Sequence, residues 1–243
     1  IPLRLVGSEM CIRDSLWKGT AESLDIVIHQ WEGYNGPMTV TAEGLPPGLH
    51  TAPLHILNNT RGNFVVWADE NAPEWQGELK LMIEGERDGQ KFRREVRPYT
   101  RVSNQLSSSR PMRSIATAVR EVGPFMVSCE PEELSVEAGQ EASLKVVVRR
   151  MWPDFKDKVS LQNLAWPSQI QVNNLDVGAD QTEATVMIKV QSGTRPGLYT
   201  LAFLTQGQVP FHKDPASKDR PNTLVALPSR PFILNVTEPP KPK

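Results

Sequence analysis

The chain has 243 residues, enough for two domains, with 27 lysines and arginines against 28 aspartates and glutamates and a formal net charge of -1. This overall balance gives no electrostatic reason to expect binding to nucleic acid or to an anionic membrane surface. The longest apolar runs, such as residues 146–148, are far shorter than the ~20 residues of a membrane-spanning helix, so no membrane span is predicted.

Residues 5–15 read LVGSEMCIRDS and are the first segment to interpret. Reverse-translated, they resemble the end of a transposase-type sequencing adapter read through as codons. Segments foreign to the native protein must be set aside before the fold is considered. We therefore expect residues 1–15 to be adapter-derived and the native chain to begin near Leu16, with any leader or upstream domain lying outside this sequence.

The rest of the chain carries an internal duplication with an offset of 120 residues. The segment SLDIVI at 23–28 aligns with SLKVVV at 143–148, and Gly77 and Leu81 align with Gly197 and Leu201. Self-similarity at a fixed offset predicts two copies of one module. We place the two modules at 16–102 and 124–238, joined by a linker at 103–123 and followed by a proline-rich tail at 239–243.

The second copy opens with an apolar entry strand at 125–131. At the same offset, the counterpart of this strand falls within residues 5–15. The sequence therefore predicts that the first module lacks its native first strand and is frayed and under-packed.

Within each copy the apolar residues alternate with a period of two, as Leu24, Ile26 and Ile28 do, which predicts half-buried strands. The Asp-Gly pair at 88–89 predicts a β-hairpin turn. Short strands at about ten-residue spacing are typical of an immunoglobulin-like sandwich. The predicted fold is all-β, with two tandem immunoglobulin-like β-sandwich domains. Apolar residues of the linker, 112–122, fall at helical spacing, but an extended connector is favoured over a helix.

Cys129 is the one cysteine outside the adapter-like segment, which excludes a disulfide framework within this sequence. A single cysteine in a strand is typically a small buried hydrophobic residue. A nucleophile pair of Cys129 and His212 would require an exposed thiol and an orienting third group, and this hydrolase is a remote alternative. The sequence contains no GxSxG elbow, phosphate loop or HExxH helix, so no enzyme is predicted.

Metal sites find little support in the sequence. His50 and His55 are five residues apart without a third ligand nearby, so no metal site and no cofactor is predicted. The carboxylate pairs Asp69–Glu70 and Asp154–Asp157 are calcium candidates that match no recognised ligand spacing. We expect solvated loop charges at both places.

Aromatic residues near strand ends are the candidate binding residues. An exposed tryptophan on a sandwich rim can stack on a sugar ring or anchor a protein partner. Packing in the core or in a turn is the alternative for each of them. The predicted ligand-binding residues are Trp31, Tyr34, Trp75 and Trp152.

Several motifs of the second module, including RRMWPDFK at 149–156, PGLYT at 196–200 and QVPFHKDP at 208–215, are similar to the C-terminal region of large exported planctomycete-type bacterial proteins. These proteins carry PPC-like and other immunoglobulin-like β-sandwich modules. The GLPPG turn at 44–48 extends the resemblance to the first module. The resemblance implies an accessory region, without catalytic residues, of a protein secreted, periplasmic or displayed at the cell surface.

The function predicted from the sequence is that of non-catalytic spacer and interaction modules of a larger exported bacterial protein. The expected partners are upstream domains of the same protein and either a polysaccharide or an envelope protein, and not nucleic acid. A carbohydrate-binding accessory module that uses the rim aromatic residues is the alternative.

Overall fold

The computed structural model describes residues 3–7, 15–28, 34–57, 61–101, 109–212 and 219–239. In these residues the chain is all-β and forms two immunoglobulin-like β-sandwich units, a first unit ending at Val122 and a second beginning at Phe125. Within this described part, no helix is long and apolar enough to cross a bilayer.

In its described residues the first unit contains twelve strands, which form two facing sheets with orders β11-β10-β1-β3-β7-β5 and β2-β12-β8-β4-β6, β9 pairing with β8. Their bounds are β1 (Leu3–Gly7), β2 (Ser15–Lys18), β3 (Ala21–Ile28), β4 (Met38–Glu43), β5 (Leu49–Thr51), β6 (Leu54–Ile56), β7 (Arg61–Ala68), β8 (Trp75–Arg87), β9 (Gln90–Glu95), β10 (Arg97–Arg101), β11 (Ser109–Pro111) and β12 (Ile115–Val122).

The described part of the second unit contains eleven strands in three groups, with orders β13-β15-β19-β17, β14-β23-β20 and β18-β16-β21-β22. Their bounds are β13 (Phe125–Glu130), β14 (Glu133–Glu137), β15 (Glu141–Arg150), β16 (Val159–Asn163), β17 (Ile170–Val172), β18 (Leu175–Val177), β19 (Glu183–Val190), β20 (Gly197–Leu201), β21 (Phe203–Pro210), β22 (Asn222–Pro228) and β23 (Phe232–Thr237).

The pairing of the strands repeats between the units. In the first unit β3 pairs with β7 and β2 runs parallel to β12; in the second, β15 pairs with β19 and β14 runs parallel to β23. The equivalent strands β3 and β15 begin at Ala21 and Glu141, which are 120 residues apart. The sequence duplication is therefore a structural duplication.

Alternation along the strands produces the two cores. Ile26 and Ile28 on β3 and Leu81 and Ile83 on β8 point into the first core, where each is almost completely buried. The largest fully buried side chains of the second core are phenylalanines, among them Phe125, Phe203 and Phe232. At the predicted hairpin, Asp88 and Gly89 have φ angles of 52° and 76°, as the primed turn between β8 and β9 requires.

A strand formed by residues 3–7 occupies the start of the first unit, where the sequence predicts that the native first strand is missing. The backbone of β1 lies antiparallel to β3 from Leu3 to Leu5 and parallel to β10, which is the place that β13 takes beside β15 in the second unit. Residues 8–14 of the adapter-like segment lie outside the described residues. Leu16, at the expected native start, is buried in the first core.

The predicted linker also differs, because its second half belongs to the first unit. Strand β12 pairs with β8 and with β2, and Val119 is buried between the sheets. The helical spacing of its apolar residues is incidental, since alternate residues of an extended strand face the core. The units are therefore joined by residues 123–124 alone.

Candidate functional site: the junction between the units

The four predicted ligand-binding residues do not come together as one exposed surface. Trp31 lies outside the described residues. Tyr34 is buried in the first core, where its ring meets Phe92 edge-on at 5.8 Å and its hydroxyl donates to the carbonyl of Pro37 at 3.0 Å. Trp75 is partly buried against the same core, with its indole lying over Gly77.

Trp152 lies at the junction between the two units, inside an aromatic cluster. Its ring is 6.1 Å from Trp17 of the first unit and stacks at 6.2 Å on Phe211, with an interplanar angle of 13°. Its indole N–H donates to the carbonyl of Val122 at 2.8 Å, and the guanidinium of Arg220 lies 5.8 Å from the ring centre. The neighbours of Trp152 thus occupy the surfaces on which a sugar ring would stack.

A second, apolar part of the junction buries side chains from both units. Ala21 and Val65 on the outer face of the first unit pack with Met126 and Ala202 of the second, and all four are nearly inaccessible. The partly buried side chains around them are Trp67, Met151 and Leu164. Burying such a patch favours one fixed arrangement of the units, because separating them would expose it to water.

Directional hydrogen bonds complete this contact. The side-chain amide of Asn63 donates to the carbonyl of Leu164 at 3.0 Å. The hydroxyl of Thr200 donates to the carbonyl of Pro53 at 2.6 Å and accepts from the backbone N–H of His55 at 3.0 Å. Because these bonds join the two units, they fix the register of one against the other as well as holding them together.

Charged residues bridge the units nearby. Arg149 of the second unit pairs with Glu70 of the first, and Arg230 lies over the ring of Trp67 at 5.8 Å. His50 stacks on Trp67 at 5.9 Å and its Nε2 lies 2.8 Å from Asp69. The candidate calcium carboxylates Asp69 and Glu70 therefore already have partners within the protein.

The other calcium candidates also have protein partners. Asp154 pairs with Arg220, and a carboxylate oxygen of Asp157 accepts from the backbone N–H of Lys158 at 2.7 Å. Among the described residues, no three histidine, cysteine or acidic side chains gather in a group that could hold a metal.

A cleft between the units is too small for a substrate. It is lined by His55, Arg61 and Asn63 of the first unit and by Trp166 and Tyr199 of the second, and it encloses about 30 Å³. That volume accommodates water molecules, whereas pockets for small molecules are roughly ten times larger.

A hydrolytic mechanism would need Cys129 as an accessible, activated nucleophile and His212 beside it. Cys129 lies in the second core, and burial raises the pKa of its thiol to about 12. A thiol in that state is protonated and inaccessible, which is the opposite of an activated nucleophile. His212, its proposed partner, is exposed at the surface.

Burial also shifts the pKa of His55 and of Asp25, which lie at or near the junction. It lowers the pKa of His55, because the protonated ring loses hydration there. It raises the pKa of Asp25, and the nearby Arg61 opposes that effect.

Most contacts of the junction are not predictable from the sequence pattern. Trp67 faces the second unit, where it is partly buried against the apolar patch. A signal was present in the continuous apolar run FVVWA at 64–68, which breaks the alternation. Such a run predicts a strand covered on both faces.

No family model matches the chain. No curated protein matches it either.

Three solved structures show a remote likeness to the chain. A protein of unknown function from Porphyromonas gingivalis W83 has 10% identity and a TM-score of 0.28, with 98% of this chain and 99% of that chain covered. The S-layer protein rSbsC(31-844) has 14% identity and a TM-score of 0.27 over 88% of this chain and 22% of that one. The teleost fish polymeric Ig receptor ectodomain has 10% identity and a TM-score of 0.24 over 98% of both chains. The fold stated above rests on the strand pairing.

Proposed function

We propose that the chain is a rigid pair of immunoglobulin-like units that acts as a non-catalytic spacer and interaction module within a larger exported bacterial protein. The observation that carries the proposal is the junction. An apolar patch around Val65 and Met126, an aromatic cluster around Trp152, and hydrogen bonds from Asn63 and Thr200 connect the same two units.

Such a junction gives a spacer its defining property, a fixed geometry. Two domains joined by a short segment and few contacts rotate relative to one another, whereas a packed apolar interface suppresses that motion. Here Trp152 also holds the connection itself, because its indole N–H donates to the carbonyl of Val122 at the end of the first unit and its backbone N–H donates to the carbonyl of Pro124. The pair would hold whatever precedes and follows it at a constant distance and angle.

Export and the nature of the partners rest on the sequence resemblance. The expected partners are upstream domains of the same protein and either an envelope polysaccharide or an envelope protein. No cofactor enters the proposal, and the buried, protonated thiol of Cys129 supports a non-catalytic role.

Sugar binding by rim aromatic residues is not favoured by the described side chains. Tyr34 is buried, and the ring of Trp152 is enclosed by Trp17, Phe211 and Arg220. We therefore do not assign the proposed polysaccharide contact to this set of residues.

Residual dipolar couplings test the proposed rigidity, because two units in a fixed arrangement share one alignment tensor. We expect a single tensor for the native chain. Val65→Asp, which places a charge in the apolar patch, should give two independent tensors. The matched control is Thr185→Asp, at the equivalent position 120 residues later, which is exposed and should leave the single tensor intact. Two tensors in the native chain would disprove the proposal.

A further inference from the structure

The loop between β19 and β20 makes a further contact of the second unit with the first. Arg195 in this loop donates from Nη1 to the carbonyls of Asn35 and Leu57, at 3.4 Å in each case. A Cβ on Gly197 would lie 2.8 Å from the side chain of Leu57, so the loop packs closely against the first unit. The hydroxyl of Tyr199 donates to the carbonyl of Arg195 at 2.6 Å. The guanidinium of Arg195 is thereby held beside the backbone of Asn35.

Asn35 precedes a glycine, which is the combination most prone to conversion of the amide into a carboxylate. It is the one asparagine of the sequence followed by glycine. Asn35 is exposed, and its side-chain amide makes no hydrogen bond within the described residues. The N–H of Gly36 likewise donates to no backbone carbonyl of the residues that the structure describes. Both groups that would react with one another are therefore available.

The fold itself requires a glycine after Asn35. The ring of Tyr34 lies over Gly36, and a Cβ there would be 2.6 Å from the hydroxyl oxygen of Tyr34. That ring is fixed by its edge-on contact with Phe92 and by the hydrogen bond from its hydroxyl to the carbonyl of Pro37. Because a residue without a side chain leaves its own nitrogen unobstructed, this packing keeps the most reactive neighbour next to Asn35.

We infer that Asn35 is a self-modifying site whose reaction Arg195 promotes from the other unit. The backbone nitrogen of Gly36 loses its proton and attacks Cγ of Asn35. The new N–Cγ bond closes a succinimide ring, the Cγ–Nδ2 bond breaks, and the amide nitrogen leaves as ammonia. Water then adds to either carbonyl of the succinimide and opens it to aspartate or isoaspartate. The net reaction consumes water, releases ammonia and leaves a carboxylate at position 35.

The contribution of Arg195 follows from the position of its guanidinium. Deprotonation of the Gly36 nitrogen moves negative charge onto the carbonyl oxygen of Asn35, because both atoms belong to the same peptide group. Arg195 donates to that oxygen, so its positive charge favours the anion from which the ring closes. The carboxylate that results lies beside the same guanidinium. The reaction thus replaces a contact with a neutral backbone group by an ion pair between the units.

Peptide mapping by mass spectrometry tests the inference, after incubation of the intact chain near pH 8. We expect position 35 to gain the mass difference between NH2 and OH, with aspartate and isoaspartate both present. Asn71 is the internal control, because it is also exposed but the N–H of the following Ala72 donates to the carbonyl of Asp69 at 3.1 Å. Asn71 should stay unmodified over the same time. Persistence of both amides to the same extent would overturn the inference.

Variants of Arg195 test its part in the reaction. Arg195→Gln should slow the modification of Asn35 in the native state about threefold, the effect expected of one exposed ionic contact. Arg195→Lys keeps the positive charge and should slow it less. A merely structural arginine would give the opposite result, because its loss would loosen the loop and speed the reaction.

The matched control is Lys145→Gln, which removes an exposed charge of the same unit on β15 and should leave the rate unchanged. In urea, where Arg195 is no longer beside Asn35, all these chains should react at one rate. An unchanged or faster native reaction in Arg195→Gln, or an equal slowing of it in urea, would refute the role of Arg195. The alignment tensor of the native chain is a separate measurement, so the proposed spacer is judged independently.

Discussion

Trp67 and Met187 show how one position of a duplicated module can acquire two roles. They lie 120 residues apart on the equivalent strands β7 and β19, and both point away from their own core. Trp67 is packed between His50, Arg230 and the apolar patch of the junction, whereas Met187 is 50% exposed. The difference arises because the second unit covers the outer face of the first, while its own equivalent face meets solvent.

Truncating the two side chains should therefore have unequal effects on stability. Trp67→Ala removes packing from the junction and should lower the free energy of unfolding by about 2 kcal/mol. Met187→Ala removes an exposed side chain and should change it by less than about 0.5 kcal/mol. Urea denaturation of both variants provides the comparison. Equal effects of the two substitutions would contradict the assigned role of Trp67.

Cys129 gives a second residue-scale prediction. Burial raises the pKa of its thiol to about 12, so the native thiol is protonated as well as inaccessible. In a Cys11→Ser background, where Cys129 is the one remaining thiol, alkylation by iodoacetamide near pH 8 should be much slower in the native state than in urea. Comparable rates in the two states would show that the thiol is open to solvent.

The sequence predicts best the strands in which apolar residues alternate and the flanking turn residues favour the same structure. The alternation of Leu24, Ile26 and Ile28 identified β3, and the Asp-Gly pair identified the hairpin of β8 and β9. The sequence does not predict strands β10 to β12, because the chain leaves the sheet of β8 after β9, pairs with β1 in the opposite sheet, and returns to β8 as β12. Local alternation does not reveal which sheet a strand will join.

The turn between β8 and β9 contains a glycine whose substitution should lower the stability of the protein. Gly89 has a φ angle of 76°, and a Cβ there would meet no atom within 4 Å, so any cost of Gly89→Ala comes from the backbone alone. We expect the free energy of unfolding to fall by about 1 kcal/mol. Gly193 also has open space around it but no left-handed φ, so Gly193→Ala should be neutral or slightly stabilising. A thermal melt of each variant measures the difference, and a cost shared by both would refute this explanation.

For the molecule as a whole, the duplication was visible in the sequence and the junction was not. The offset of 120 residues predicts two equivalent units, and the strand pairing confirms the equivalence. Contacts between the units break that equivalence: Val65 is buried while Thr185, at the same position, is exposed. Asn63 and Thr200 are ordinary polar strand residues in the sequence, and their pairing across the junction depends on how the finished units dock.

The junction should also make the stability of the whole molecule depend on pH through His55. Its backbone N–H is bonded to Thr200 of the second unit, and its ring lies 3.3 Å from the hydroxyl of Thr39. Burial lowers the pKa of the folded ring below the ordinary value of 6.5, so the unfolded chain takes up a proton first as the pH falls. The contribution of the neutral ring to stability is therefore present above pH 6.5 and is lost progressively at lower pH, down to the folded pKa.

We expect the Tm to fall between about pH 7 and 5, and we expect the substitution His55→Gln to reduce that fall. Thermal melts across this range decide the matter, since an unchanged slope in the variant would exclude His55 as the source.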